Sequence, residues 1–443
     1  MRVIVIGLDC APPSLVFDRW APHLPNLSAL RARGLWGPLR SCMPPITVPA
    51  WTCMVSGRDA GELGIYGFRN RSRGYDLRIA TSRDVQAKRV WDRLGEHGHS
   101  VCTLFVPLTS PPMPVRGTQV SCFLHSDGPY VSPPQRQSEL EARHGVLQAD
   151  ADSFRDGDLR RIVDEIRTMT TQHFAITRDL WERDRPDFLM MVAMGPDRLH
   201  HALWHHLDPE APRYVAGNPW EAEALAYYQQ LDDEVGRVMT LLSDDDVIMV
   251  VSDHGARAMQ GAVAINEWLI REGWLGLKER PTKPTPLREV VDWSRTKAWG
   301  EGGYYARVWL NVRGREPEGI VDPSRIEAER ETLRRALLEV VPGTTAQTPE
   351  ALFHEQRGEP PDLFVVFGDL AYRSVGTVGH PDVMLAGDGE DGCNHAWDGI
   401  FIMAGPDTES KRIEAEIYDV GRTILGHFDV PAGDWRGRDW STS

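Results

Sequence analysis

Arg2-Val3-Ile4-Val5-Ile6-Gly7-Leu8-Asp9 opens the chain with an apolar run that ends in a carboxylate. A continuous Val/Ile run of this kind is typical of a parallel strand that is buried on both faces. In an open α/β sheet, functional groups lie just beyond the carboxyl ends of the strands. Asp9 therefore stands where such a fold would place a functional side chain.

Strand-like and helix-like segments alternate through the first half of the chain. Apolar stretches at 100–106, 186–194 and 247–252 predict further buried strands, and amphipathic patterns at 84–97, 158–182 and 221–242 predict helices. This alternation favours a parallel sheet that is covered by helices on both faces. The sequence therefore predicts an α/β fold.

The pattern changes in the third quarter of the chain, where shorter strand-like stretches surround one predicted helix at 324–340. We interpret 1–258 and 394–443 as a catalytic α/β core, and 259–393 as a smaller α+β lobe inserted near the active site. The Gly- and Asp-rich stretch 387–392 predicts a mobile loop at the end of this lobe. A chain of 443 residues is long enough for a large core with such an insertion.

The overall charge limits the classes of partner. Lys and Arg number 49 against 64 Asp and Glu, a net charge of −15. This balance argues against a nucleic-acid polymer or an anionic membrane as partner, because both need clustered basic residues. The start of the chain has neither a cleavage-site pattern nor an apolar run of about 18 residues, so we expect a cytoplasmic protein. Oligomer formation remains possible.

Four more short islands carry Thr, Asp or His beyond an apolar run or in a turn. They are Thr47-Val48-Pro49-Ala50-Trp51-Thr52, Asp197-Arg198-Leu199-His200-His201, Val250-Val251-Ser252-Asp253-His254-Gly255 and Asn394-His395-Ala396-Trp397-Asp398-Gly399. Two divalent cations about 4 Å apart can hold a phosphate and activate a hydroxyl between them, and they need carboxylate and imidazole ligands. Together with Asp9, these islands supply such ligands.

The candidate ligands divide into two sets, one for each cation. The first set is Asp9, Thr47, Asp253 and His254, and the second set is Asp197, His201 and His395. Asp197 and His201 are four residues apart, a spacing that places both side chains on one face of a helix. Oxygen and nitrogen ligands suit zinc or manganese, and we expect zinc with manganese as the alternative.

These islands, in this order, resemble the alkaline phosphatase superfamily, and most closely its type I phosphodiesterase/nucleotide pyrophosphatase and predicted phosphohydrolase/phosphomutase branch. The motifs that carry the resemblance are Gly7-Leu8-Asp9, Thr47-Val48-Pro49-Ala50-Trp51, Gly64-Ile65-Tyr66-Gly67-Phe68, Asp197-x-x-x-His201, Ser252-Asp253-His254-Gly255, Gly314-Arg315-Glu316-Pro317-Glu318-Gly319-Ile320-Val321 and His395-x-x-x-Gly399-Ile400-Phe401. The resemblance covers most of the chain. It implies an alkaline-phosphatase-like sheet and a metal-dependent phosphoric ester hydrolase.

By this resemblance Thr47 is the nucleophile, which forms a phosphothreonine that is then hydrolysed. The residues agree, because Thr47 lies at a predicted strand-to-helix junction, where free N–H groups and the helix dipole favour an oxyanion. A metal can also activate a Thr hydroxyl without a neighbouring base. Thr52 is the competing hydroxyl, but it falls inside the predicted helix.

Substrate contacts are predicted at three residues. The resemblance implies an Asn beyond the nucleophile that donates to a phosphate oxygen, and Asn70 is the nearest match, with Arg69 beside it. His205 lies one helical turn beyond His201 and is a candidate for the substrate pocket or for a position behind the ligands. The expected substrate is a small phosphorylated metabolite or nucleotide, as a monoester or a diester.

Two other functions remain as alternatives. A phosphomutase would return the phosphoryl group to another oxygen of the same substrate. A non-catalytic protein could keep the metal site for binding or stability, although all seven candidate ligand positions carry suitable side chains. We therefore expect a two-metal phosphohydrolase.

Overall fold

The computed structural model describes residues 1–125, 127–155, 157–386, 391–406 and 408–442. Residues 387–390 of the predicted mobile loop lie outside this description. The helices are α1 (Pro25–Arg31), α2 (Thr47–Ser56), α3 (Ala60–Leu63), α4 (Val90–Glu96), α5 (Gln135–His144), α6 (Leu159–Arg183), α7 (Gly195–Leu207), α8 (Trp220–Met239), α9 (Ile265–Arg271), α10 (Leu287–Val290), α11 (Ile326–Leu338), α12 (Pro349–Leu352) and α13 (Ile417–His427). The strands are β1 (Val3–Leu8), β2 (Leu35–Arg40), β3 (Arg69–Arg73), β4 (Asp76–Ile79), β5 (Val101–Leu104), β6 (Gly117–Val120), β7 (Val131–Ser132), β8 (Phe188–Ala193), β9 (Val247–Val251), β10 (Gly255–Ala258), β11 (Gly261–Ala264), β12 (Ala298–Glu301), β13 (Ala306–Leu310), β14 (Thr345–Gln347), β15 (Leu363–Val366), β16 (Tyr372–Val375), β17 (Met384–Ala386), β18 (Cys393–Ala396), β19 (Asp398–Ala404), β20 (Lys411–Arg412) and β21 (Ala415–Glu416).

The main sheet has ten strands in the order β20-β2-β19-β9-β1-β8-β5-β6-β7, with β21 also paired to β2. Its centre is parallel, because β1 pairs in parallel with both β8 and β9. Along β1 the side chains alternate, so that Ile4 and Ile6 join the hydrophobic core on one face while Val3 and Val5 join the core on the other. The predicted α/β fold with a sheet buried on both faces is confirmed.

The sheet is mixed rather than wholly parallel. Strand β19 runs antiparallel to both β2 and β9, whereas the sequence analysis predicted a parallel sheet. The chain reaches β19 from β18, which lies at the carboxyl edge of the central strands, so β19 has to run back across the sheet. A parallel strand would have needed a crossover connection at this point.

Two smaller sheets and a third hydrophobic core form the region between β11 and β17. The sheets have the orders β12-β13-β15-β14 and β16-β11-β17, and the core lies between them and α9 and α11. The hairpin β3–β4 packs on this region, with Tyr75 stacked on Trp293 at 3.6 Å between ring centroids and Arg71 in a buried ion pair with Glu316 at 2.6 Å. The domain boundaries at 259 and 393 stay a prediction.

One predicted helix is shorter than its pattern suggested. The span 84–97 contains α4 only from Val90, because Asp92 accepts a hydrogen bond from the backbone N–H of Arg89 and caps the helix there. The helices predicted at 158–182 and 221–242 agree with α6 and α8 within three residues at each end. Among the described residues, no helix combines the length and apolar character needed to cross a bilayer.

Candidate metal centre

The turn after β1 places Asp9 in contact with the side chain of Trp51. Gly7 allows this packing, because a Cβ built at Gly7 would lie 2.4 Å from the Trp51 ring. The Trp51 indole N–H donates to Asp9 Oδ2 at 2.6 Å. Cys10 follows with a φ of 65°, in the left-handed region, and its backbone N–H donates to Asp253 Oδ1 at 3.3 Å. The turn thus joins the ends of β1 and β9.

The segment after β9 turns back on itself and presents Asp253 and His254. The Ser252 hydroxyl donates to the backbone carbonyl of His254 at 2.6 Å, which holds this turn. The ring of His254 places Nδ1 3.1 Å from the backbone oxygen of Gly255, so Nδ1 carries the proton that it donates. His254 Nε2 then has a free lone pair and lies 3.1 Å from Asp253 Oδ2.

Thr47 is the first residue of α2, so the predicted helix start is confirmed, although β2 ends at Arg40 and does not lead directly into it. Its hydroxyl oxygen lies 3.4 Å from His254 Nε2, and the residue is buried. The N–H groups of the first helical turn have no acceptor within the helix, so this end of α2 favours an anion. Thr52 lies farther along α2, where its hydroxyl donates to the backbone oxygen of Val48 at 2.6 Å. Its hydroxyl is therefore engaged within the helix.

Helix α7 and strand β18 supply the second set. Asp197 and His201 lie one turn apart on α7, with Asp197 Oδ1 3.3 Å from His201 Nε2. His395 lies on β18, where β10 pairs with it, and its Nε2 is 3.8 Å from Asp197 Oδ1. The His395 ring also stacks on the His254 ring at 3.7 Å between centroids. The two predicted sets therefore form one contiguous cluster.

From here the Asp253 set means Asp9, Thr47, Asp253 and His254, and the Asp197 set means Asp197, His201 and His395. All seven residues are at most 2 % exposed. The ligand atoms of the Asp197 set lie within 4.8 Å of one another, and so do those of Asp9, Asp197 and His254. Every residue that the sequence analysis chose as a ligand is brought to this cluster.

Four buried polar atoms of this cluster have no hydrogen-bond partner among the described residues. They are Asp9 Oδ1, Asp197 Oδ1, Asp253 Oδ2 and His395 Nε2. Leaving a buried carboxylate oxygen unpaired is costly, and such groups are normally satisfied by a hydrogen bond or a metal. These oxygen and nitrogen atoms fit divalent cations such as zinc or manganese.

The carboxylates of the two sets have opposite pKa shifts. Burial raises the pKa of Asp9 and of Asp253 well above its ordinary value, and the neighbouring carboxylates raise both further. Burial also acts to raise the pKa of Asp197, but the charges of His201 and Arg198 outweigh it and hold that pKa well below the ordinary value. The ionised carboxylates of the Asp253 set therefore lack the positive charge that compensates Asp197.

The pKa values of His254 and His395 are lowered, whereas that of His201 is raised. Burial lowers the pKa of His254 to about 4, and burial together with the charge of His254 lowers that of His395. Burial also acts to lower the pKa of His201, but the negative charge of Asp391 overcomes it and raises that pKa. His254 and His395 are therefore neutral near pH 7, the state in which an imidazole binds a metal.

Three residues beside the cluster were not predicted from the sequence. Asp391 Oδ1 lies 2.7 Å from His201 Nδ1 and orients the ring. Arg198 donates to Asp197 Oδ2 at 2.5 Å. Tyr304, from the turn between β12 and β13, places its hydroxyl 3.0 Å from His201 Nε2. Arg198 is adjacent to the predicted ligand Asp197, and Asp391 lies within five residues of the predicted ligand His395, so their positions in the sequence could have indicated them. Tyr304 is far in sequence from every predicted ligand, and no such signal was available for it.

A cavity of about 1270 Å³ adjoins the cluster. Tyr304, Asp391 and Arg198, which contact residues of the cluster, line this cavity together with aromatic residues that include Trp299. Ile79, which is 51 % exposed, also lines it, so the cavity reaches the surface. A small molecule can therefore approach the cluster from this side.

The predicted substrate residues have different surroundings. Arg69 is exposed and lines the cavity. Asn70 holds its own turn, because its Oδ1 accepts from the backbone N–H of Tyr66 at 2.7 Å and its Nδ2 donates to the backbone oxygen of Gly67 at 3.0 Å. His205 packs against Gly392 and is not among the cavity-lining residues that the structure describes. A substrate role for each of these three stays a prediction.

The fold and the cluster define a metal-dependent phosphoesterase of the alkaline phosphatase superfamily. The chain belongs to the type I phosphodiesterase / nucleotide pyrophosphatase family, whose model matches residues 3–396. No match was found among curated proteins. The family assignment confirms the resemblance seen in the sequence.

Solved structures share the fold at low sequence identity. Murine ectonucleotide pyrophosphatase / phosphodiesterase 5 has a TM-score of 0.60 at 13% identity, over 100% of this chain and 98% of that chain. An inactive form of the murine protein in complex with AMP gives a TM-score of 0.59 at 13% identity, over 99% and 97%. Phosphonoacetate hydrolase from Sinorhizobium meliloti 1021, in complex with phosphonoformate, gives 0.62 at 16% identity, over 98% and 96%.

Proposed function

We propose that this protein hydrolyses a small phosphorylated metabolite or nucleotide through a phosphothreonine intermediate at Thr47, with two divalent cations, most simply zinc. The observation that carries the proposal is the position of the Thr47 hydroxyl, 3.4 Å from His254 Nε2 at the edge of a buried cluster of candidate ligands. The Asp253 set would hold one cation and the Asp197 set the other. When bound, such cations stabilise the charge on the transferred phosphoryl group and lower the pKa of a coordinated hydroxyl.

The side chains of the cluster keep Thr47 in place for attack on phosphorus. The protonated Nδ1 of His254 is tied to the backbone of Gly255, so its Nε2 faces the Thr47 hydroxyl. The free N–H groups at the start of α2 can donate to the oxygens of the transferred phosphoryl group. Thr47 Oγ1 can thus form a bond to phosphorus as the bond between phosphorus and the alcohol oxygen of the substrate breaks, and the proton of the Thr47 hydroxyl passes through solvent to the departing oxygen.

The substrate class is supported by the cavity and by the relatives. The cavity is large enough for a molecule of nucleotide size, and it meets the cluster at Tyr304 and Asp391. One related structure contains AMP and another contains phosphonoformate, both small anions. The exposed rim of the cavity also lets water reach the intermediate, which favours hydrolysis over transfer within one substrate.

Thr47→Ala tests the nucleophile, and Thr52→Ala is its matched control. Both hydroxyls lie on α2, but the Thr52 hydroxyl is bonded to the helix backbone. We expect Thr47→Ala to lower the hydrolysis of p-nitrophenyl phosphate and bis-p-nitrophenyl phosphate by a factor of about 10³ or more, while Thr52→Ala keeps most of the activity. Equal rates for wild type and Thr47→Ala, at equal metal content, would show that the proposed mechanism is wrong.

Trapping the intermediate gives a second test. Rapid acid quenching of wild-type protein during turnover, followed by mass spectrometry, should detect phosphate on the peptide that contains Thr47. Turnover in isotope-labelled water should then place the label in the released phosphate. Transfer within the substrate, without release of labelled phosphate, would instead indicate a phosphomutase.

A further inference from the structure

Tyr304 reaches out of the turn between β12 and β13 and covers the Asp197 set. Its ring stacks on the His395 ring, with centroids 3.8 Å apart and an angle of 27° between the planes. Its hydroxyl oxygen lies 3.0 Å from His201 Nε2. Tyr304 thus contacts two of the three members of the set.

The atom of His201 that Tyr304 approaches is the one that is free to bind a cation. The other ring nitrogen, Nδ1, lies 2.7 Å from Asp391 Oδ1 and is occupied by that hydrogen bond. His201 Nε2 also lies 3.3 Å from Asp197 Oδ1. The phenol oxygen of Tyr304 and the carboxylate oxygen of Asp197 are therefore both neighbours of the same ligand atom.

These separations are those of ligands that share one ion. Ligands at about 2.0–2.2 Å from a tetrahedral zinc lie roughly 3.3 Å from one another. The observed separations are 3.0 Å for Tyr304 and 3.3 Å for Asp197, both measured to His201 Nε2, and 3.8 Å between Asp197 and His395. A catalytic zinc site has three protein ligands and one exchangeable position, and the Asp197 set supplies three.

Other side chains hold the phenol in this position. Arg155 Nη2 donates to the Tyr304 hydroxyl at 2.8 Å, and Arg155 Nε donates to Asp391 Oδ2 at 2.8 Å. Asn394 donates to the backbone oxygen of Tyr304 at 3.2 Å. The phenol is therefore held by Arg155, which is itself paired with the carboxylate that orients His201.

We propose that the Tyr304 hydroxyl is an exchangeable fourth ligand of the Asp197 set, and that the phosphate of the substrate displaces it. The inference rests on the proposed function, because it takes the Asp197 set to hold a cation. Tyr304 also lines the cavity, so a molecule that enters there meets the phenol before it reaches the cluster. Binding of phosphate and binding of the phenol then exclude each other at one position.

The test uses the full-length protein loaded with Cu²⁺ as a spectroscopic probe. A phenol that binds Cu²⁺ loses its proton to solvent, because the cation lowers the pKa of the bound hydroxyl, and the phenolate oxygen then gives a charge-transfer absorption in the visible range. We compare wild type, Tyr304→Phe and Tyr305→Phe, since Tyr305 is the adjacent residue and its hydroxyl donates instead to the backbone oxygen of Tyr66 at 2.6 Å. The absorption should be present in wild type and in Tyr305→Phe, and absent in Tyr304→Phe. Inorganic phosphate should remove it from wild type.

Affinity for inorganic phosphate is the second readout, measured by calorimetry on the zinc-loaded proteins. If the phenol occupies the position about nine-tenths of the time, its removal should tighten phosphate binding about tenfold in Tyr304→Phe. Tyr305→Phe should match wild type.

The possible failures have different meanings. Normal metal content, with no absorption in wild type and equal phosphate affinity in all three proteins, would overturn the role of Tyr304 and leave the proposed function standing. Absence of bound metal in wild type under any loading condition would overturn both.

Discussion

The two halves of the ligand cluster lie side by side in the protein, yet their charges are balanced in opposite ways. In the Asp197 set, Arg198 pairs with Asp197 and Asp391 pairs with His201. In the Asp253 set, the hydrogen-bond donors to Asp9 and Asp253 are the Trp51 indole and the backbone N–H of Cys10, and the neighbouring His254 is neutral near pH 7. The pKa of Asp197 is accordingly lowered, whereas those of Asp9 and Asp253 are raised.

This difference shows that the Asp253 set depends more than the Asp197 set on positive charge supplied by bound protons or cations. Buried carboxylates without a cationic partner oppose folding near neutral pH, because their charged form is poorly solvated. The Asp253 set can lose this penalty only by taking up protons or cations. The Asp197 set is already neutralised by the protein, so its charge balance depends less on a bound cation.

The largest expected effect is on catalysis, where the two halves should be equally necessary. Asp253→Asn and Asp197→Asn should each lower kcat/KM for p-nitrophenyl phosphate by about 10³-fold or more, the scale expected when charge stabilisation of the transition state is lost. Asp246→Asn is the control, because Asp246 flanks the opposite end of β9 and pairs with Arg2 at 3.0 Å. Retention of activity in either ligand variant would show that its half of the cluster is dispensable.

The next effect is on stability, where the halves should differ in sign. After the cations are removed by chelation, Asp253→Asn should raise the free energy of unfolding at pH 7 by about 1–2 kcal/mol, as is common when a destabilising functional group is removed. Asp197→Asn should lower it by about 3–5 kcal/mol, because Arg198 and His201 lose their buried counter-charge. Urea denaturation followed by circular dichroism measures both.

The pH dependence of the free energy of unfolding in Asp253→Asn and Asp197→Asn tests whether the two carboxylates contribute with opposite signs. The folded-state pKa of Asp253 is raised, so its stabilising contribution is present below pH 3.8, its unfolded value, and is lost as pH rises through the folded value. The folded-state pKa of Asp197 is lowered, so its contribution is present above 3.8 and is lost as pH falls through the folded value. Equal signs for the two variants would refute the contrast between the halves.

A smaller effect should be confined to the Asp197 set. Asp391→Ala removes the acceptor that orients His201 and should weaken one of the two bound cations by about 10- to 100-fold, leaving the other unchanged. Asp382→Ala, at an exposed aspartate of the same region, is the control. Isothermal titration with Zn²⁺ resolves the two sites, and equal weakening of both would contradict the assignment of Asp391 to His201.

Sequence reasoning found the cluster because its members follow buried strands or lie on a regular helix. Asp9 and Asp253 come directly after β1 and near the end of β9, and the four-residue spacing of Asp197 and His201 matches one turn of α7. These are local patterns that apolar runs and periodicity reveal. The central strands and their helices could be predicted for the same reason.

The rest depended on contacts between distant parts of the chain. No local pattern showed that β19 runs antiparallel to β9, or that Tyr304 from the lobe contacts His201. The spacing that suggested Asn70 as a phosphate donor did not reveal that its amide is engaged in its own turn. Tertiary packing decides which side chains from the lobe reach the cluster, and a single sequence does not reveal that packing.

The last prediction concerns His173, a buried histidine outside both sets that supplies a baseline for the pH comparison. Its ring stacks on Phe105 at 3.8 Å, and its Nε2 lies 2.9 Å from the backbone oxygen of Gln148. Burial lowers its pKa from 6.5 to about 4, although Asp150 acts in the opposite direction. The imidazole is therefore neutral in the folded protein under mildly acidic conditions.

Because the folded-state pKa of His173 lies below its unfolded value of 6.5, only the unfolded chain takes up a proton as pH falls from 6.5 towards 4. This difference should cost about 2 kcal/mol of stability between pH 7.5 and pH 5. His173→Gln removes the titration and keeps an N–H donor for Gln148, so the metal-free variant should lose about 2 kcal/mol less than wild type over that interval. Urea denaturation at the two pH values measures the difference, and an unchanged pH dependence would mean that the cluster itself controls the acid sensitivity of the metal-free fold.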